Sequence, residues 1–280
     1  MTNIYYLGPD GSNTHNAMLN VLEKCKIEVE NKMPQKTIKM ALESLQQDND
    51  GICVLPIENS IEGIVRETID NLLKNKDESI KIQAQVCLPI KHLLLAKTND
   101  KSQIKKIISH PQAFAQCSKY LEENFKDVEL KETSSTSYAA EKVSQLDDLS
   151  LAAIANETCA SIFDLNILSR DLNDENDNKT RFYVLSRKSF ETVNKNGKTA
   201  IILSTKNKSG ALCDVLQIFS KHSINLTYID SRPSKRKLGE YLFFMEIDGF
   251  ENDEKVKLSL SELMQYVDFI KILGSFCIYE

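Results

Sequence analysis

The feature that most constrains this chain is a change of rhythm near residue 190. Before it, short apolar runs alternate with amphipathic helical stretches; after it comes a single β-α-β-β-α-β series. The first part opens with a strand at 4–7 and the turn Gly8-Pro9-Asp10-Gly11, then a helix carrying Met18, Val21, Leu22 and Cys25 at helical spacing. Ile38, Ala41, Leu42 and Leu45 repeat that spacing before a strand at 52–55, and Val65, Ile69, Leu72 and Leu73 form another stripe. Strand-like runs follow at 82–86, 92–96 and 106–109, and a helix opens at His110-Pro111, where proline suits the first helical position. Phe114, Cys117, Leu121 and Phe125 line that helix on one face. A strand near 128–130, a helix near 137–146, a strand at 151–154, a polar loop over 171–179 and a strand at 181–186 complete an α/β pattern. A late strand crossing back would close a discontinuous first lobe, about 1–78 plus 170–186, around a second lobe of about 79–169; periodicity alone leaves this open.

Residues 187–198, RKSFETVNKNGK, read as a linker: polar, with an Asn-Gly turn signal and no sustained periodicity. Beyond it the pattern predicts a strand at 199–204, a helix through Leu212, Val215, Leu216 and Phe219, strands at 225–230 and 240–247, a helix through Val256, Leu260 and Leu263, and a strand at 269–278. That order is the ferredoxin-like split βαβ unit, and 199–280 has the size of one small domain.

With 280 residues there is room for two compact units, and a net charge of -5 without a basic run argues against nucleic acid as a partner. No apolar stretch approaches the roughly 18–20 residues of a membrane helix, and the start MTNIYYLGPDG reads as strand and turn rather than as a signal peptide. The 7 cysteines are scattered and never paired as CxxC, which fits reduced thiols and a cytoplasmic location. The 4 histidines form no HExxH-type pair, so neither a metal nor a cofactor is expected.

Polar clusters stand where strands hand over to helices, the positions at which α/β sheets usually bind ligands. They are Pro56-Ile57-Glu58-Asn59-Ser60 with Gly63, Ser109-His110-Pro111-Gln112, and the hydroxyl-rich run 133–137. Each can present backbone N–H groups to an anion, and each is equally a set of helix caps. Three together favour a carboxylate-binding cleft. Thr180-Arg181-Phe182 is a fourth cluster; its arginine suits a carboxylate, or an ion pair with Asp174, Glu175 or Asp177.

Taken in order, these segments resemble the prephenate dehydratase family along nearly the whole chain. Gly8 to His15 stands where family members have GPxGTFSH, and PIENS is intact at 56–60, followed by Gly63, Val65, Thr68 and Asp70. Ser109-His110-Pro111-Gln112-Ala113 with Gln116-Cys117 matches SHPQAxxQC, Ser135-Thr136 the next motif, and Asn178-Lys179-Thr180-Arg181-Phe182 the N-x-T-R-F signature. Gly210-Ala211-Leu212 and Asp230-Ser231-Arg232-Pro233 resemble the GAL and ESRP motifs of an attached ACT domain.

The resemblance implies a two-lobed catalytic region similar to periplasmic binding proteins, followed by the ferredoxin-like ACT domain. It implies conversion of prephenate to phenylpyruvate, water and carbon dioxide, with Thr180 assisting departure of the ring hydroxyl. Glu58 is the second candidate for handling the proton; a salt bridge or a helix N-terminal carboxylate is its other reading. Arg181 would pair with one substrate carboxylate, and the helix N-termini after Ser109 and Thr136 would receive the other. Asn59, Ser60, Gln116 and Phe182 are carried over as cleft-lining positions, whereas Cys117 reads as packing.

The ACT resemblance implies phenylalanine as an allosteric effector bound at a subunit interface, hence a homodimer or homotetramer. The positions concerned are Gly210, Ala211, Leu212, Asn225, Asp230, Ser231, Arg232 and Pro233. Gly210 would allow close backbone approach, or simply make the turn before the helix. Two departures stand out: Ser12-Asn13-Thr14 in place of TFS, and Asp230 in place of glutamate. Arogenate dehydratase shares these motifs, and a non-catalytic amino-acid sensor is the alternative of another kind.

Overall fold

The structure is a computed structural model describing residues 2–175, 177–190, 197–234 and 240–279. The chain starts with β1 (Asn3–Leu7), α1 (Asn13–Lys24), β2 (Asn31–Gln35), α2 (Ile38–Gln47), β3 (Ile52–Asn59), the two-residue β4 (Gly63–Ile64), α3 (Arg66–Lys74) and β5 (Lys81–Pro89). There follow β6 (Leu93–Ala96), β7 (Lys106–Ser109), α4 (Pro111–Gln116), α5 (Ser118–Asn124), β8 (Glu129–Glu132), α6 (Thr136–Gln145), β9 (Leu151–Ala155), α7 (Glu157–Phe163), β10 (Asn166–Ser169) and β11 (Lys179–Ser186). The last unit is β12 (Gly197–Thr205), α8 (Ala211–Lys221), β13 (Leu226–Pro233), β14 (Tyr241–Asp248), α9 (Glu254–Leu263) and β15 (Val267–Tyr279).

Among the described residues the strands form two sheets. The second lobe is a five-stranded sheet in the order β10-β6-β9-β7-β8, with an apolar core on each face. The other sheet runs β2-β1-β3-β11-β5 and continues without a break into β15-β12-β14-β13. The terminal four have the order 4-1-3-2 of a ferredoxin-like domain, as the βαββαβ pattern predicts.

β11 does cross back, lying antiparallel between β3 and β5. The expected start of the second lobe near 79 is corrected, because β5 belongs to the first sheet. Ile82, Ala84 and Val86 are buried, with β11 on one side of their strand and β15 on the other. A strand paired on both edges cannot leave its sheet, so the second lobe begins only after Pro89.

The helix expected over Phe114 to Phe125 is interrupted at Cys117, whose φ of -123° and ψ of 19° leave the helical region between α4 and α5. β2, which the pattern did not predict, is an edge strand with four exposed residues of five, so no alternation marks it. Of the expected linker, 191–196 lies outside the described residues, while 197–198 already belong to β12.

The C-terminal domain, expected to be the ACT domain, is packed onto the N-terminal region as well as joined to its sheet. One core contains Leu42, Leu55, Ile82 and Tyr183 from the first lobe together with Ile202, Phe244 and Phe276 from the C-terminal domain. Burying such side chains contributes about 1.5–3 kcal/mol each. The two units therefore share a core and are not beads on a string.

Candidate active site

The lobes face each other across a cleft of about 450 Å³ at the carboxyl ends of β1, β3 and β7. Its walls carry Gly8, Pro9 and Ser12 to Thr14 from the first lobe, and His92, His110, Gln116 and Ser134 to Ser137 from the second. Thr180 and Phe182 of β11 lie on its floor.

Thr180 is 8% exposed, and its Oγ1 accepts a hydrogen bond from Asn59 Nδ2 at 2.9 Å. The orientation of that amide is fixed from its other end, since Asn59 Oδ1 accepts from the backbone N–H groups of Ile61 and Glu62, both at 3.0 Å. Asn59 Nδ2 also donates to Asn178 Oδ1 at 2.8 Å, and Asn178 Nδ2 donates to Gln116 Oε1 at 3.0 Å. His92 Nε2 lies 2.9 Å from the same oxygen; an amide oxygen only accepts, so this ring nitrogen carries the proton. The chain Thr180–Asn59–Asn178–Gln116–His92 thus spans both lobes. With an oxygen lone pair of Thr180 taken by Asn59, the hydroxyl proton is left to donate into the cleft.

His92 is 6% exposed, and burial lowers its pKa despite the opposing hydrogen bond that the ring donates to Gln116. The unfolded ring takes a proton near pH 6.5, the folded ring only at lower pH. Its contribution to stability is therefore complete above that value and is lost as the pH falls from about 6.5 toward the folded pKa. His92→Gln is expected to narrow the gap between melting temperatures measured at about pH 7.5 and about pH 5.5, relative to the parent. An unchanged gap would show that the ring does not titrate on folding.

Two helices of full length point their N-termini at the cleft. Ser12 caps α1 by accepting from the backbone N–H of His15 at 3.1 Å, and Ser135 caps α6 by accepting from that of Tyr138 at 3.0 Å. Capping satisfies one donor at each end; the remaining first-turn N–H groups have no acceptor within their helix, and the dipole there is positive. For Ser135 both readings of the 133–137 run hold at once, as cap and as cleft wall. Among the described lining residues there is no lysine or arginine, so these helix ends provide the cleft's positive potential.

Asn59, Gln116, Thr136 and Phe182 are brought together around the cleft, but four other expected positions are not. Side chains alternate along a strand, so the neighbours of Thr180 and Phe182 face the opposite side of β11. Arg181 accordingly turns away: its Nε bonds Glu58 Oε2 at 2.7 Å, and its Nη1 bonds Gln85 Oε1 at 2.8 Å and Glu246 Oε2 at 2.8 Å. The structure thus places Arg181, expected to pair with a substrate carboxylate, and Glu58, expected to handle the proton, together on the side of β11 away from the cleft. Of the readings of Glu58, the salt bridge is the one observed. Ser109 is fully buried and donates to Ile154 O at 2.7 Å. Ser60 ties the end of β3 to Asp177 O at 3.1 Å and Lys179 N at 2.9 Å instead of lining the cleft.

Asn178, His92 and His110 were not anticipated as site residues. Asn178 stood inside the N-x-T-R-F signature, and His92 heads the wholly buried strand β6, where a polar ring needs a partner.

In the C-terminal domain, Gly210 has a φ of 80° at the N-cap of α8, with nothing within 4 Å of where a Cβ would stand. The backbone conformation, not crowding, calls for glycine there. Asn225 Nδ2 donates to Asp248 Oδ2 at 3.0 Å, and Asp230 has a buried carboxylate oxygen without a hydrogen-bond partner. Arg232 pairs with Asp70 at 2.7 Å and donates to Arg66 O at 2.7 Å, binding β13 to α3. Arg232 and Pro233 line a second cavity of about 580 Å³ between α3 and the C-terminal sheet; Gly210, Ala211 and Leu212 do not reach it. Within one chain, therefore, the expected effector positions do not converge on that cavity.

Comparison with known proteins agrees with this arrangement. The family model for prephenate dehydratase matches residues 4–190, and that for the ACT domain matches residues 199–263. A prephenate dehydratase of Methanocaldococcus jannaschii is 41% identical over 235 residues, covering 83% of this chain and 84% of the relative. One from Bacillus subtilis is 34% identical over 286 residues, covering 98% of each. The solved structure of an Arthrobacter aurescens prephenate dehydratase in complex with L-Phe superposes with a TM-score of 0.87 at 30% identity, covering 98% of this chain and 90% of that one. With a catalytic region and a regulatory module matched in order along nearly all its length, the chain belongs to the prephenate dehydratase family, a family of lyases, and carries an ACT domain at its C-terminal end.

Proposed function

We propose that this chain converts prephenate to phenylpyruvate, water and carbon dioxide in phenylalanine biosynthesis, under allosteric control by phenylalanine at the ACT domain. The observation that carries the reading is the anchored Thr180 hydroxyl, free to donate into a cleft flanked by two helix N-termini. The substrate has two carboxylates, and the first turns of α1 and α6 offer N–H donors and positive dipole ends for them from opposite lobes. As the ring C–O bond breaks, its electron pair leaves with the hydroxyl oxygen, which takes a hydrogen bond from Thr180 Oγ1. The C–C bond to the ring carboxylate breaks, its electrons complete the aromatic ring, and carbon dioxide departs. The leaving oxygen becomes water with one proton, which Thr180 relays and solvent replaces. A threonine hydroxyl is a weak acid, so its effect comes from preorganised hydrogen bonding in a restricted site.

The reading includes a homodimer or homotetramer, as the ACT resemblance implies, and a cytoplasmic location. It requires no metal or cofactor among the described residues. The experiment is an assay of phenylpyruvate formation from prephenate, with and without phenylalanine, with arogenate as the competing substrate. Turnover of prephenate that phenylalanine inhibits is expected. A clear preference for arogenate overturns the substrate assignment, and phenylalanine binding without any product establishes an amino-acid sensor instead.

A further inference from the structure

The side of β11 turned away from the cleft carries a charged cluster built from both domains. Glu246, on β14 of the ACT domain, is 0% exposed. Its carboxylate receives Arg181 Nη1 at 3.0 and 2.8 Å, Lys198 Nζ at 3.3 Å and the Tyr183 hydroxyl. Arg181 also holds Glu58 and Gln85, and its guanidinium lies 5.6 Å from the centre of the Tyr228 ring. Two cations and two anions balance there. Apolar side chains of similar volume generally stabilise a core as well as a buried ion pair does, so the position that this cluster fixes matters more than its contribution to folding.

What it fixes is the catalytic strand where its ladder with β3 is irregular. The register between β11 and β3 runs Thr180 to Asn59 and Arg181 to Glu58, then skips Ile57 and resumes at Phe182 to Pro56. A bulge interrupts the ladder and re-aims side chains. Beside it, the direction of Thr180 depends on what holds the next residue, and that residue is Arg181. We infer that Glu246 is a positioning residue for the reaction: through Arg181 it holds β11 opposite the bulge of β3, so that Thr180 Oγ1 meets Asn59 and faces the cleft. This rests on the assignment of Thr180 as the proton donor. It means that the catalytic strand is aligned by a carboxylate supplied from the regulatory domain.

The test is steady-state kinetics with prephenate on the full chain. Glu246→Gln, which keeps the shape but not the charge, is expected to lower kcat about tenfold with KM within about twofold, because only the reacting geometry is disturbed. In the Thr180→Ala background the same change is expected to cost nothing further, since both residues act through one hydroxyl. A folded Glu246→Gln protein with parental kcat, or losses that multiply in the double variant, overturns the inference. If Glu246→Gln fails to fold, Glu246→Asp takes its place: it keeps the charge one methylene short, an intermediate kcat is expected, and parental kcat overturns the inference. Parental turnover in Thr180→Ala is a different result, which overturns the proton-donor assignment itself.

Discussion

Thr180→Ala is expected to reduce turnover of prephenate by about 10²–10⁴-fold, the usual contribution of a positioned acid. KM is expected to stay within a few-fold, because the donors that receive the carboxylates belong to the first turns of α1 and α6 and are untouched. Folding loses little: Asn59 Nδ2 keeps its bonds to Asn178 Oδ1 at 2.8 Å and Lys179 O at 3.2 Å. The net loss of one hydrogen bond is about 1 kcal/mol. Circular dichroism and thermal melting check the fold while product formation reads the chemistry. Thr180→Ser keeps a hydroxyl but gives up the branched Cβ that restricts rotation about χ1, so its loss is expected to be smaller than that of alanine. If alanine and parent turn over prephenate at equal rates, the proton donor lies elsewhere.

The contrast between Thr180 and Arg181 marks how far the sequence reaches. Motif order placed both in one signature, and the resemblance assigned both to the substrate. The period-two alternation of β11 separates them, sending Thr180 to the cleft and Arg181 to Glu246 in another domain. The sequence contains the alternation, but not which parity faces the cleft; that depends on β3 and β5, which pair with β11 from far along the chain. The lobe boundary failed for a similar reason. Residues 82–86 read correctly as strand, yet sheet membership is set by long-range pairing, which local periodicity does not carry. Where the determinant is local, reading succeeds: the cap within 133–137, at Ser135, and the βαββαβ order needed only near neighbours. Asn178 and His92 illustrate the remaining gap, because each acquires its role through Gln116, whose side chain lies between them.

Gly274→Ala is expected to have the largest effect on stability. At this residue β15, the last ACT strand, runs alongside β5 of the catalytic sheet, and the backbone adopts a φ of 147°. An added Cβ would stand 2.4 Å from Ile82 O and 2.6 Å from Ile82 N, both backbone atoms of a strand held on its other edge by β11. No side-chain rotation relieves such an overlap. Either β15 withdraws, breaking the parallel register of Cys277 to Ala84, Ile278 to Gln85 and Tyr279 to Val86, or β5 shifts and carries β11 with it. Backbone strain of about 1–3 kcal/mol adds to overpacking of about 1–3 kcal/mol. Together, at about 2–4 °C per kcal/mol, they predict a melting temperature lower by roughly 4–24 °C. The two routes differ in what else they do. Withdrawal of β15 that keeps Glu246 on Arg181 leaves Thr180 in place, so turnover by the folded fraction persists while phenylalanine inhibition weakens. A shift of β5 reaches Thr180 through β11 and lowers kcat as well. Melting curves with and without phenylalanine, alongside prephenate kinetics, separate them, and a parental melting temperature would mean that the two sheets do not meet in this register.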